Sequence, residues 1–148
     1  MAYRNILLLV HIASAAAWLG ANLTQLVLTP WFARRGGEVA GSWFEATGLL
    51  AKRYYNLAGL LLGLTGVLLV IELGYAWSSG FVAVGITVIA IGAVLGIGFF
   101  APTGDRLAES ARAGGPVDAQ RYLQVAALDT VLVLTAILAM VSRWKAGF

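Results

Sequence analysis

The sequence predicts an all-α integral membrane protein, an antiparallel bundle of four transmembrane helices with both termini outside. Three observations predict it. Of 148 residues, 60% are hydrophobic and only 11% charged, whereas a soluble domain carries about 25% charged residues to wet its surface. The apolar residues fall into four runs, each near the roughly 20 residues that cross a bilayer. Lys and Arg gather in two of the segments between those runs.

The first run has no charge between Arg4 and Arg34 and gives a span over about 6–29, with Pro30 and Trp31 marking its exit. The second, about 54–72, is uncharged from Tyr54 to Ile71. A turn-rich stretch (Gly74, Ser78, Ser79, Gly80) forms a tight hairpin into the third span, about 81–100, which Pro102, Gly104 and Asp105 are expected to end. The fourth, about 122–142, holds a single charge, Asp129. Residues 1–148 read as one transmembrane domain.

Two connections are long. Residues 30–53 can hold a short helix over 38–50. Trp43, Phe44, Thr47 and Leu50 share one face there, which suits a segment lying at the membrane interface. Residues 101–121 contain Ala113-Gly114-Gly115-Pro116, a breaker between polar half-turns. The amino-terminal run resembles a secretory signal but continues past any cleavage site, so cleavage is not expected.

Orientation follows from the cations. The two long connections carry Arg34, Arg35, Lys52, Arg53, Arg106, Arg112 and Arg121, against Arg4, Arg143 and Lys145 on the other side. The positive-inside rule puts the long connections in the cytoplasm of a bacterial inner membrane. The basic residues sit beside apolar runs and form no stripe with aromatics, so nucleic acid is not an expected partner. Gly59/Gly63, Gly92/Gly96 and Ala13/Ala17/Ala21 have the small-residue spacing that lets helices approach in lipid.

The absence of cysteine excludes disulfides, c-type haem attachment and thiolate metal sites. No phosphate-binding loop, dinucleotide fingerprint or nucleophile elbow is present. What chemistry remains lies in polar residues within the spans, each of which is costly in lipid. Toward the outer face, His11, Met140 and Glu72 can share one leaflet, with Trp18 and Trp77 near them. Imidazole and thioether are an axial pair for haem iron. Equally, a lone histidine can bond a neighbouring helix and a methionine can fill space. Toward the inner face lies a second cluster: Asn22, Gln25, Arg53, Asn56 and Asp129. Asp129 is about 12 Å in from Arg121 along the helix and needs a partner. Arg53, Gln25 and Asn22 are the candidates for a tie between spans one, two and four. The alternatives are a structural polar tie and a quinone or proton site.

His11 followed by Ala17-Trp18-Leu19-Gly20, then Lys52-Arg53-Tyr54-Tyr55 leading to Gly63-Leu64-Thr65-Gly66, then Gln120-Arg121-Tyr122 and Leu128-Asp129, resembles the CopD-like copper-resistance proteins and the HemJ-type protoporphyrinogen oxidases. The resemblance implies a four-helix membrane bundle and a haem b or porphyrin role for His11, in electron transfer or haem metabolism. The basic residue that those oxidases carry near the start of the third span is absent from Trp77 to Val82. The expectation is therefore a weakly catalytic or non-catalytic haem protein. It would be ligated by His11 with Met140 or by two copies of His11 across a homodimer. The alternative is a cofactor-free accessory subunit packed against a larger membrane complex.

Overall fold

The computed structural model describes residues 2–142, which contain no strand. Arg143 and Lys145, counted above at the outer end, lie outside the described residues. Helix α1 spans Ala2–Ala33. Helix α2 (Gly37–Leu49) runs through a π-helical stretch, Leu50–Tyr55, into α3 (Asn56–Glu72). Helix α4 (Gly80–Leu95) likewise runs through a π-helical stretch, Gly96–Phe100, into α5 (Ala101–Arg112). Helix α6 (Gln120–Ser142) completes the chain. Four continuous helices result, all long and apolar enough to cross a membrane.

Two of the connections turn on glycine. After α3, the Gly74 amide donates to Ile71 O and the Tyr75 amide to Val70 O. After α5, the Gly114 amide donates to Ala111 O and the Gly115 amide to Ser110 O. Both are Schellman endings, which need a left-handed residue just past the helix. Gly74 (φ 66°) and Gly114 (φ 72°) supply it without a Cβ penalty.

The helices do not stop where the prolines were expected to stop them. α1 continues through Pro30, and the third long helix continues through Pro102 to Arg112. Inside a helix, proline loses one bond and clashes with the carbonyl four residues back. The wider turn of the π-helical stretch just before Pro102 relieves that clash.

The short helix expected over 38–50 is present as α2, joined to α3 rather than separate from it. Helix α2 continues the axis of α3 and packs along α5. Phe44 and Thr47 are fully buried there. Trp43 stacks on Phe32 and donates its Nε1 hydrogen to Thr29 Oγ1 at 3.0 Å. Protein thus covers Phe44 and Thr47, while Val39 and Leu49 of the same helix are exposed. Ion pairs fasten α5 here: Lys52, in the π-helical stretch after α2, bridges Asp105 at 2.7 Å, and Arg112 bridges Glu38 and Glu45 of α2.

In the rest of the bundle α1 packs on α3 and α6, α6 on α4, and α3 only loosely on α4. The apolar residues face outward: Leu9, Ile12, Val27, Leu60, Val94, Ile97 and Leu138 are exposed. Helix α5 exposes no large hydrophobic residue. Helix α1 is inverted relative to a helix of a soluble protein. Its buried positions are Leu7, Ser14, Trp18, Asn22, Gln25 and Thr29, spaced three, four or seven apart, so its polar stripe faces inward.

Candidate functional site

The inward stripe of α1 meets Asp129 of α6. The Asp129 side chain is 2% exposed. Its Oδ2 accepts two hydrogen bonds, from Asn22 Nδ2 at 2.7 Å and from Trp18 Nε1 at 3.0 Å. The network continues away from the carboxylate. Tyr55 OH donates to Asn22 Oδ1 at 2.7 Å, Gln25 Nε2 donates to Tyr55 OH at 2.6 Å, and Tyr122 OH donates to Gln25 Oε1. Each group donates to the next, and the series ends on Asp129. Such a series polarises itself toward the acceptor. It also ties α1, the second long helix and α6 together. Two side-chain amides, of Gln25 and Asn22, alternate with the hydroxyls in it.

One atom stands apart. Asp129 Oδ1 is buried and, among the described residues, has no hydrogen-bond partner. A buried carboxylate oxygen without a donor is costly. Arg53 does not supply the missing donor. It is exposed, and the ion pairs among the described residues are those of Lys52 and Arg112. Its place at the start of the second span lets the guanidinium stay outward, where it is solvated. Asn56 also stays outside the network, donating to Lys52 O on its own helix at 2.8 Å.

Beside the network, a groove of about 460 Å³ opens between α3 and α4. Trp18 and Tyr55 line it together with Gly59, Gly63, Ile89 and Gly92. The Trp18 ring meets Tyr55 edge to face, with centroids 6.1 Å apart. A Cβ added at Gly92 would overlap Trp18 Cζ2 and Cη2, and one at Gly59 would touch Cζ3 at 3.5 Å. The two glycines thus make room for the indole, whose ring holds the helices apart.

In the outer cluster, His11 and Met140 each touch a different helix. His11 rests on α3, its Nδ1 3.1 Å from both Leu62 O and Thr65 Oγ1. The Thr65 hydroxyl is itself donated to Leu61 O at 2.6 Å, so both groups act as acceptors and Nδ1 carries the proton. Met140 sits against Gly85 of α4 instead, while Glu72 and Trp77 are exposed. Trp18, expected near His11, belongs to the Asp129 network. Tyr55 and Tyr122 were not expected in it. Trp18, Asn22 and Gln25 at spacings of four and three were a legible signal for one face of α1. The tyrosines carried no comparable signal.

Comparison with family profiles, curated proteins and solved structures finds no match.

Proposed function

We propose that this chain is a four-span protein of a bacterial cytoplasmic membrane, with its charged end in the cytoplasm and both termini outside, and that it binds a lipid-soluble small molecule at Asp129. The outward apolar surface, the inverted polarity of α1 and the seven cations at one end support the placement. One observation carries the binding reading: Asp129 Oδ1 is a buried acceptor with no donor among the described residues, in a network whose other members are bonded. The network offers a carboxylate, phenols, amides and an indole, a set suited to holding a ligand. Native mass spectrometry of protein released from membranes should show a bound small molecule that Asp129→Asn loses. An identical mass on both proteins would refute the reading. Because the chain has no cysteine, single thiols test the orientation. Ser78→Cys should react with an impermeant maleimide on intact cells, and Ala113→Cys only after permeabilisation. The reverse pattern inverts the topology.

A second reading rests on His11. With Nδ1–H held by the Leu62 carbonyl, the Nε2 lone pair is free for a ligand, as in metal-binding histidines. In this reading His11 would hold haem b or a porphyrin, which would supply one-electron chemistry. Met140 of α6 lies against Gly85 of α4, so the second axial donor would be Met140, if it turned from that seat, or His11 of another copy. A Soret band in the purified protein that His11→Ala abolishes is the expected result. A protein that stays colourless with haem supplied removes this reading. If it also lacks any Asp129-dependent ligand, stoichiometric co-purification with other membrane proteins would favour an accessory subunit.

A further inference from the structure

We propose that the ligand of Asp129 is a lipophilic cation with an N–H donor, a protonated amine carried on an apolar tail. This deepens, and rests on, the reading of Asp129 as a binding centre. Asp129 has no cationic partner among the described residues, and its two donors, Trp18 and Asn22, are neutral. A hydroxyl-bearing ligand would bring a single neutral donor to Oδ1. An ammonium supplies both the donor and the charge, and charge-assisted bonds are about twice as strong as neutral ones.

Two further features fit the same ligand. The rings of Trp18 and Tyr55 cross at 80° and form an aromatic corner at the floor of the groove. Indole and phenol faces attract cations, most strongly where water is excluded. The groove itself is apolar, flanked by glycines, and its 460 Å³ falls within the roughly 300–1,000 Å³ of small-molecule sites. It opens between α3 and α4 on the outer face of the bundle, so a tail enters sideways from lipid. Trp18 stands between the groove and the carboxylate. Gly59 and Gly92 present no side chain to the ring on the groove side, while Val88 and Val133 pack on it from within, so a ligand reaches Oδ1 only by displacing the indole toward the groove.

The test uses the full chain in nanodiscs of neutral lipid, with radiolabelled dodecylammonium as the probe and dodecanol as its neutral counterpart. Dodecylammonium should bind saturably, one per chain, and Asp129→Asn should weaken it about ten- to hundred-fold. Dodecanol should not displace it at equal concentration. Gly96→Phe guards against a merely misfolded carboxylate variant. No atom lies within 4 Å of a Cβ at Gly96, so a ring there fills the groove without disturbing the network, and it should also block binding. Equal displacement by dodecanol, or undiminished binding to either variant, overturns the proposal. If dodecanol binds in an Asp129-dependent way and dodecylammonium does not, the binding centre stands and the cationic class falls. If neither probe depends on Asp129, both fall.

Discussion

The α2/α5 pair and the α3/α4 seam are both lined with glycine, yet one is close-packed and the other is open. In the first, a Cβ at Gly104 would stand 3.1 Å from Phe44 O and 3.4 Å from Gly48 Cα. Backbone lies directly on backbone there, with Ala101, Ala108 and Ala111 buried around it. In the second, Gly92 and Gly59 face the Trp18 ring, and nothing lies within 4 Å of a Cβ at Gly96. The same small-residue spacing therefore has two outcomes. Where no large side chain competes, the helices close. Where an indole is drawn inward by a hydrogen bond to Asp129, they are wedged apart and a groove remains.

Several substitutions test this contrast, and reversible unfolding in mixed micelles ranks them. The largest loss is expected for Trp18→Ala. Removing a buried aromatic costs about 3–5 kcal/mol, and here Asp129 Oδ2 also loses a donor. A loss below about 1 kcal/mol would mean that the indole does not wedge the seam.

Next come the glycines. Gly104→Ala meets a backbone oxygen that cannot turn aside, so an overpacking loss of about 1–3 kcal/mol is expected. Gly96→Ala meets open space and should stay within about 0.5 kcal/mol of the parent. Equal effects at the two positions would dissolve the distinction. Gly92→Ala should resemble Gly104→Ala in stability. It should also shift the tryptophan emission, because Trp18 must leave its seat.

Smaller still is Lys52→Ala. It breaks an exposed ion pair to Asp105 worth at most about 1 kcal/mol, and high salt should mask the change. Smallest is Arg53→Ala, expected within about 0.5 kcal/mol. A buried ion pair with Asp129 would instead make that loss about 3–5 kcal/mol, so this variant separates the neutral-donor network from the ion pair that the sequence invited.

The inner cluster was partly legible before any fold was known. Asn22, Gln25 and Asp129 stand out because polar side chains are rare in apolar runs, and similar depths pointed to a meeting. The partners were harder to foresee. Charge arithmetic favours Arg53, but an arginine at a helix end keeps its hydration by turning outward, while Trp18 and Asn22 need no desolvated charge to reach the carboxylate. Likewise His11 and Met140 share a depth, yet depth leaves rotation about the helix axis open. His11 turned to α3 and Met140 to α4.

Composition and run length by themselves determined the four long apolar helices, the glycine turns at Gly74 and Gly114 and the gathering of charge at one end. These are local properties: hydrophobicity over 20 residues, and backbone freedom at one residue. Only the tertiary structure decided that the third helix passes through Pro102, that α2 lies on α5, that Asp129 is held by neutral donors and that a groove opens at Trp18. Each depends on which helix faces which and at what rotation. Close packing and hydrogen-bond satisfaction across the bundle fix that rotation, and both involve residues far apart in the chain.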